Sequence, residues 1–331
     1  MKRLSFRSIT RILSIGLVGI AATLPNYAAA AEDWPSRDIK IIVPFGAGGA
    51  SDGVARALGQ RLSESLGQSV VVENRTGAGG SIGVGVVARS KPDGYTFLLG
   101  STSEIVQYPL IYPNANYDVQ TDLTTISSVS SSPLVLIANS ELEVDTLSEL
   151  IAKSKATPHG LVFGSAGIGA STHLAVELLM SAGDFEMRHI PYRGSANIVS
   201  DVVAGTLHTA MPTLSAVKPF ATDERLKLIA VSSADSTPLL PGVPGMAEAG
   251  LEDFDVALWT GLFAPAGVDA EIVEKMHAAV QDALQSSELQ QAFSNLGAVP
   301  VLSSRADFEQ LIENETQRWK TLIAENNIVA E

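Results

Sequence analysis

Short apolar runs alternate with amphipathic stretches in the N-terminal part of the chain. The runs at 39–45, 69–73 and 95–99 are almost continuously apolar, which is typical of strands in a parallel sheet that is covered on both faces. Helices are predicted between them, at 54–66 and 81–90. Because βαβ crossovers are right-handed, the strand ends meet at one sheet edge, and open α/β sheets bind ligands at such an edge.

The same alternation restarts after a less regular stretch at 103–132, for which no strand is predicted. Thr146 precedes Glu149 by three residues, which is the signature of a capping box at a helix start. The further predicted strands are 134–138, 161–163, 187–190, 207–211 and 227–231. The further predicted helices are 146–155, 173–182 and a segment that ends before Gly205.

The chain then returns to its first unit. A strand is predicted at 256–263, and the remainder is helical, with Ser304 capping a helix at 307–326. A chain that leaves one α/β unit and comes back forms two lobes joined by two crossings, as in hinged binding proteins. We therefore predict an α/β fold with a ligand cleft between two lobes. Lobe 1 comprises 32–132 plus 253–331, and lobe 2 comprises 133–252.

Glycine-rich loops follow three of the predicted strands, at 46–52, 77–83 and 164–172. Such a turn presents backbone N–H groups and the positive end of a helix dipole, so it can bind an anion without a basic side chain. In the first loop, Ser51 or Asp52 is predicted to cap a helix that starts at Val54. The alternative is that the glycines only satisfy tight turns. The hydroxyl donors near these loops are Ser51, Ser81, Ser101, Thr102, Ser165, Ser171 and Thr172.

The first residues are typical of a secretory signal. Basic residues precede an apolar run at 12–24, and Ala28-Ala29-Ala30 forms an Ala-x-Ala cleavage site. We predict a signal peptide at 1–31, cleaved after Ala30 or Ala31, and a periplasmic mature protein. The sequence has no cysteine, which excludes a lipid-anchored lipoprotein and any disulfide.

Charge and motifs narrow the function classes. Removing a leader with four basic and no acidic residues changes the net charge from −14 to −18, which argues against nucleic acid and anionic membranes as partners. A local array of N–H donors can still bind an anion. No loop spells G-x-G-x-x-G and no P-loop occurs. His173 and Glu177 lack a third metal ligand, so we expect neither metal nor cofactor.

One enzyme signature is present. Gly49-Ala50-Ser51-Asp52-Gly53 matches the G-x-S-x-G elbow of α/β-hydrolases. That fold would need strands and an oxyanion loop before the elbow and a histidine in a late loop, and neither is evident. A secreted serine hydrolase that uses Ser51 is therefore the alternative to a binding protein without catalytic activity.

Aromatic and basic residues near later strands have two interpretations each. Arg193, which follows Tyr192, could pair with a carboxylate through both guanidinium nitrogens, or it could simply face solvent. Trp259 and Phe45 could wall a small ligand, although a position in the core is the more common role for such residues.

Ordered motifs through almost the whole chain resemble the Bug family, the solute-binding receptors of tripartite tricarboxylate transporters. Each motif is common by itself, whereas the ordered set is specific. The motifs are Trp34-Pro35-Ser36-Arg37, Val43-Pro44-Phe45 with Gly48-Gly49-Ala50-Ser51-Asp52, Val72-Glu73-Asn74-Arg75 with Gly77-Ala78-Gly79-Gly80, Pro92-Asp93-Gly94-Tyr95-Thr96, Gly164-Ser165 with Gly167 and Gly169, Pro191-Tyr192-Arg193-Gly194, Val243-Pro244 with Glu248 and Gly250, and Trp259 with Ala264-Pro265-Ala266-Gly267.

The resemblance implies a two-lobed periplasmic receptor with a type II-like fold and two hinge crossings. Its ligand would be a di- or tricarboxylate, an acidic amino acid or an aromatic acid. Its partners would be one large and one small multi-span transporter subunit, or a sensor kinase, and we expect a monomer. One ligand carboxylate would be held by Phe45, Gly48, Gly49, Ala50, Ser51, Asp52, Gly79, Gly80 and Ser81. The variable end would be held by Ser101, Thr102, Ser165, Ala170, Ser171, Thr172, His173 and Tyr192.

Two stretches depart from the family pattern and are expected to tune the ligand. They are Met211-Pro212-Thr213 and the polar stretch at 101–104. If Glu104 faces the cleft, its charge would disfavour a fully ionised tricarboxylate or select a ligand with an amino group.

Overall fold

The computed structural model describes residues 34–112, 115–192 and 197–328. The predicted signal peptide and Arg193, with its two interpretations, lie outside these residues. In the described ranges, no helix combines the length and the hydropathy that a membrane crossing requires.

Two β-sheets and the helices that cover them make up the described chain. The strands are β1 (Ile39–Val43), β2 (Val70–Asn74), β3 (Thr96–Ser101), β4 (Leu123–Pro133), β5 (Val135–Asn139), β6 (Leu161–Ser165), β7 (Met187–Pro191), β8 (Thr209–Ala210), β9 (Leu226–Val231), β10 (Ala257–Pro265) and β11 (Val299–Pro300). The helices are α1 (Ala50–Leu66), α2 (Ser81–Ala88), α3 (Tyr108–Ile111), α4 (Val119–Asp122), α5 (Leu147–Ala156), α6 (Ser171–Gly183), α7 (Ile198–Val203), α8 (Leu214–Val217), α9 (Ala270–Leu284), α10 (Ser287–Asn295) and α11 (Arg305–Glu325).

The first sheet has the strand order β11-β4-β10-β3-β1-β2. β1 pairs in parallel with both β2 and β3, as the apolar runs predicted. β10 is the predicted returning strand, and it lies antiparallel between β3 and β4. The carboxyl ends of β1, β2 and β3 consequently share one edge of this sheet.

β4 corrects the prediction that the stretch at 103–132 holds no strand. It escaped prediction because serine and threonine fill most of its positions, and two register shifts against β10 interrupt any regular alternation. The hydroxyls are satisfied internally. Ser130 Oγ lies 2.8 Å from Thr260 Oγ1, and Ser128 Oγ donates to the main-chain oxygen of Val301 at 2.9 Å.

The second sheet has the strand order β7-β6-β8-β5-β9. All its strands come from the segment between β4 and β10, which agrees with a chain that leaves one unit and returns. The exact lobe boundaries stay a prediction. β8 is only two residues long, not the five predicted at 207–211, because the N–H of Leu207 closes the turn after α7 on Asp201 O.

Helix caps were predicted correctly at two places. The capping box of α5 is present, with Glu149 N donating to Thr146 Oγ1 and Thr146 N donating to Glu149 Oε2. Ser304 caps α11 by accepting a hydrogen bond from Asp307 N at 3.1 Å. Trp319 of α11 is fully buried in the apolar core.

Ser232 joins the two chain segments that pass between the sheets. Its Oγ accepts from Leu134 N (2.8 Å) and donates to Val256 O (2.5 Å). Its main chain donates to Leu134 O and accepts from Val256 N. Ser232 is fully buried, so one hydroxyl and one peptide group hold both segments in register.

Replacing Ser232 by alanine should destabilise the protein. The Ser232→Ala variant leaves the Leu134 N–H and the Val256 carbonyl without their buried hydroxyl partner, which costs about 1–3 kcal/mol of unfolding free energy. Urea unfolding would measure this loss. Ser233→Ala is the control, since that hydroxyl bonds Asp235 O at the surface, and it should change stability by less than about 0.5 kcal/mol. Equal midpoints for the two variants would contradict the assignment.

Candidate ligand-binding site

The loops after β1 and β2 are tied together at the shared sheet edge. Asn74, the last residue of β2, donates through Nδ2 to Phe45 O (2.9 Å) and to Asp52 Oδ1 (3.0 Å). The predicted meeting of the strand ends is therefore realised by direct contacts.

The first glycine-rich loop ends earlier than predicted. α1 begins at Ala50 rather than Val54, with Gly49 at the N-cap and no side-chain hydrogen bond to the helix start. Ser51 and Asp52 lie inside the first turn, so the prediction that either caps the helix is wrong. Gly48 makes the early start possible, because its φ of +83° suits glycine.

Asp52 braces this loop from within. Its Oδ2 accepts hydrogen bonds from Gly48 N (2.9 Å) and Arg56 Nε (3.0 Å). The hydrogen bond from Arg56 is the largest cause that lowers the pKa of Asp52 to about 2. The buried carboxylate is thus ionised, and its charge is neutralised by Arg56. Among the described hydrogen bonds, it accepts from one N–H group of the loop, that of Gly48.

The second loop requires glycine at two positions. Gly79 and Gly80 have φ of +61° and +98°, and their backbones touch neighbouring side chains. A Cβ at Gly79 would lie 2.7 Å from Tyr108 Cδ2, and one at Gly80 would lie 3.1 Å from Glu104 Cβ. Both glycines are therefore required by conformation and by close approach, and Ser81 then opens α2.

The third loop is organised by its own side chains. Ser165 Oγ donates to Gly167 O at 3.0 Å, and Thr172 Oγ1 accepts from Ala166 N at 2.9 Å. His173 Nδ1 accepts from Gly169 N at 3.1 Å. These bonds fix the loop ahead of α6, whose N-cap Ala170 has no capping side chain.

Two stacked histidines lie behind the third loop. The rings of His173 and His189 are 4.0 Å apart between centroids, and His189 Nε2 lies 2.6 Å from Ser165 Oγ. His173 Nε2 lies 3.1 Å from Glu177 Oε1. Burial, and secondarily the facing His173, lower the pKa of His189 to about 4. His189 is therefore a neutral side chain at pH 7.

A helical segment after β3, residues 103–111, contacts loops of both sheets, and we call it the bridging segment. On one side Tyr108 and Glu104 pack against the glycines of the second loop. On the other side Ser171 Oγ donates to Gln107 Oε1 (2.6 Å) and lies 3.0 Å from Ser103 Oγ. The bridging segment thus contacts both the second and the third glycine-rich loop.

Sequence reasoning missed Gln107. Its side chain is almost completely buried, and Nε2 has no hydrogen-bond partner in the part of the chain that the structure describes. The available signal was spacing, because Ser103 and Gln107 are four residues apart and share a face of a helix that starts at a strand end.

Helix starts at the glycine-rich loops differ from helix starts elsewhere. Among described helices of eight or more residues, α1, α2 and α6 have no side chain hydrogen-bonded to their first turn. The other four, α5, α9, α10 and α11, are each capped by a side chain. The first N–H groups of a helix have no acceptor within the helix. At the predicted site, the first N–H groups of α1 and α6 therefore have no acceptor among the described residues. In α2, by contrast, Ser81 N and Ile82 N donate to Ala78 O and Gly77 O of the second loop.

Several predicted ligand hydroxyls already have protein partners. Thr102 Oγ1 accepts from Trp259 N at 3.2 Å, and Tyr192 OH donates to Asp201 Oδ2 at 2.5 Å. Burial, followed by Asp201, raises the pKa of Tyr192 to about 12. Trp259 itself is 3% exposed and lies in the core. Backbone groups are thus better placed than these hydroxyls to meet a ligand.

The contacts of the predicted ligand residues with a ligand stay a prediction. The exposure of these residues divides them into three sets. Exposed are Gly48, Gly49, Ala50 and Gly79; partly exposed are Phe45, Ser51, Ser101, Ala170 and Tyr192; buried are Asp52, Gly80, Ser81, Thr102, Ser165, Ser171, Thr172 and His173.

Two cavities lie away from the loops. One of about 750 Å³ is lined by Ile105, Leu110 and Glu313 among others, and one of about 330 Å³ lies beside Trp259 and Arg318. Neither has a lining residue from the three loops as far as they are described. Within the described ranges, no group of three or more acidic or histidine side chains is arranged to hold a metal ion.

The geometry does not favour the hydrolase alternative. Ser51 lies in the regular first turn of α1, whereas a nucleophile elbow holds its serine in a strained turn. In the described residues, the hydrogen bonds of His173, His189, His208 and His277 go to groups other than Ser51. None of these four histidines is thus hydrogen-bonded to Ser51, as the general base of a serine nucleophile would be.

Comparison with known proteins assigns the fold and the family. The fold is that of two-lobed periplasmic binding proteins. The chain is 33% identical to R. palustris Rpa4515, solved with adipate, with a TM-score of 0.78 over 90% of this chain and 99% of that one. It is 29% identical to MatC from Rhodopseudomonas palustris, solved with bound malate, with a TM-score of 0.74 over 88% and 100%.

The family follows from sequence. The family model described as "Tripartite tricarboxylate transporter family receptor" matches residues 54–328. Protein BugT of Bordetella pertussis (strain Tohama I) is 37% identical over 96% of this chain and 98% of its own length. The chain belongs to this receptor family, as the ordered motifs predicted. Its members are periplasmic solute-binding receptors and not enzymes.

The neutral state of His189 predicts a pH dependence of stability. Its pKa is lowered from 6.5 to about 4 in the folded protein, so the unfolded chain takes up the proton first as the pH falls. The unfolding free energy should therefore decrease between about pH 6.5 and pH 4. Urea unfolding of the protein and of His189→Gln across this range would measure the decrease, and the variant should lose less. Parallel pH profiles would contradict the prediction.

Proposed function

We propose that this protein captures a small organic carboxylate between its two lobes and delivers it to a tripartite tricarboxylate-type membrane transporter. The observation that carries the proposal is the pair of open helix starts at α1 and α6. Each offers backbone N–H groups and a positive dipole end, and carboxylates are stabilised at such ends. Bound adipate and malate in two relatives support the same ligand class.

Placement of donors on both sheets fits a ligand with two acidic ends. α1 and α2 follow strands of the first sheet, and α6 follows β6 of the second. We propose that one carboxylate binds at residues 45, 48–52 and 79–81, and that the other end meets Ser101 and the third loop. Contacts that only the closed state makes would then favour lobe closure.

We also propose that residues 1–31 direct export and are removed after Ala30 or Ala31, which places the mature receptor in the periplasm. Its membrane partner would be a pair of multi-span subunits, one large and one small. A sensor kinase is the alternative partner.

A thermal-shift screen of the mature protein tests the proposal directly. The panel would contain C3–C6 dicarboxylates including malate and adipate, citrate, acidic amino acids and aromatic acids. A ligand at 100 times its dissociation constant adds about 2.7 kcal/mol to the unfolding free energy, which raises the melting temperature by several degrees. A refolded, ligand-free protein that responds to no acid in the panel would refute it.

Filling one uncapped helix start should separate binding from stability. Gly49 has the extended conformation of an N-cap residue, so the carboxylate of Gly49→Asp can accept from the first turn of α1. We expect unchanged or higher stability and at least a tenfold weaker carboxylate affinity, because a tenfold change needs only about 1.4 kcal/mol. Calorimetric titration would measure the affinity.

Gly49→Ala is the matched control, since it adds the Cβ without an acceptor oxygen. It should bind within a few-fold of the natural protein. If Gly49→Asp also retained full affinity, the start of α1 would not be a ligand contact.

A further inference from the structure

The proposed function assigns no role to one buried acid, Glu104. Glu104 is 0% exposed, and it lies in the bridging segment directly after the end of β3. Its Oε1 accepts from Ser101 N at 2.5 Å, and its Oε2 lies 2.6 Å from Ser101 Oγ. Both carboxyl oxygens are thus engaged by a single residue, Ser101, which is itself partly exposed at the sheet edge.

Glu104 also supports the second glycine-rich loop. A Cβ at Gly80 would lie 3.1 Å from Glu104 Cβ and 3.4 Å from Pro44 Cβ. The acid is therefore wedged between the start of α2 and Ser101, two proposed ligand contacts. The charge of Glu104 therefore acts on both of these contacts.

The hydroxyl of Ser101 has only one hydrogen to donate. When Glu104 is ionised, its carboxylate can only accept, so Ser101 Oγ–H must donate to Oε2 and presents lone pairs to the cleft. When Oε2 carries a proton, the acid donates to Ser101 Oγ instead. The serine hydrogen is then free to donate to a ligand carboxylate.

The surroundings of Glu104 provide little to stabilise its charge. Burial raises the pKa of Glu104 to about 7, although its bonds with Ser101 act in the opposite direction. Among the described residues, no lysine or arginine forms an ion pair with it. An ionised Glu104 would therefore also repel an anionic ligand held nearby.

The other titratable groups around the bridging segment come from its neighbours. Tyr117 donates to the main-chain oxygen of Glu104 at 2.5 Å, and burial raises the pKa of Tyr117. Tyr108 belongs to the segment itself and packs against Gly79 of the second loop. α11 brings Glu309 and Glu313 to the cavity at the far side of the segment, and α6 brings His173 on the second-lobe side.

We propose that Glu104 and Ser101 form a proton-operated donor switch, in which the carboxylate ligand binds to the protonated form of Glu104. This proposal rests on the proposed function. It adds that one proton is bound at Glu104 whenever the carboxylate ligand is bound. The proton comes from solvent, adds to Oε2 of Glu104 and remains there while the ligand is bound. The ligand end at Ser101 is thereby specified as a hydrogen-bond acceptor.

The affinity should depend on pH in one direction. Only the protonated fraction is competent, and with a pKa of about 7 this fraction falls from about nine-tenths at pH 6 to about one-tenth at pH 8. The dissociation constant should therefore increase about tenfold between pH 6 and pH 8. Titration calorimetry in buffers of different ionisation enthalpy should show proton uptake at pH 8.

Glu104→Gln tests the switch with a side chain that resembles the protonated acid. Its amide oxygen can accept from Ser101 N and its amide nitrogen can donate to Ser101 Oγ. With adipate and malate as probes, it should bind at pH 8 about tenfold more tightly than the natural protein, without proton uptake. Glu315→Gln is the matched control, a buried carboxyl on α11 that should leave the pH dependence intact.

Ser101→Ala separates the donor switch from simple charge repulsion. It should lower affinity at pH 6 and reduce the ratio between pH 6 and pH 8. A full tenfold ratio in Ser101→Ala, a pH-independent natural protein, or an unchanged ratio in Glu104→Gln would each overturn the proposal. Failure of every acid in the panel to bind at either pH would instead overturn the proposed function, and this inference with it.

Discussion

Close approach of the bridging segment to bare backbone is the constraint on which the site depends. Tyr108 and Glu104 pack on Gly79 and Gly80, where any Cβ would collide or crowd. Gly169 of the third loop is similarly placed, since a Cβ there would lie 2.5 Å from Ile111 Cδ1. One short helical segment therefore fixes the separation of loops that belong to different sheets, and side chains larger than hydrogen would force them apart.

This packing explains how an acidic protein can offer an anion site. The loops supply N–H groups rather than basic side chains, and Asp52, the acid of the first loop, is neutralised by Arg56. The net charge of −14 acts at longer range and is screened by salt over about 8–10 Å. Local dipoles then decide the sign of the potential that a small ligand meets.

The strand ends, the three loops and the caps at Thr146 and Ser304 could be predicted, because each depends on residues within a few positions in sequence. β4 could not, since its serines and threonines are satisfied by partners on β10 and near Val301 that are more than a hundred residues away.

The same distinction applies at the site. The glycines at 46–53 predicted a turn. The residue at which α1 begins, however, depends on the positive φ of Gly48. Ser103 and Gln107 are spaced to share a helix face, but nothing local identifies Ser171 as their partner, because it lies 68 and 64 residues away in the chain. Positions that depend on long-range contacts were therefore the ones that sequence reasoning missed.

The uncapped helix starts also have a consequence for protein engineering. A capping side chain adds about 0.5–2 kcal/mol per helix, so a procedure that optimises folding stability alone would place serine or aspartate at Gly49 or Ala170. Such a redesign would yield a more robust scaffold whose own side chains saturate the donors left open in the natural chain. These two positions should be held fixed when receptors of this kind are stabilised as biosensors.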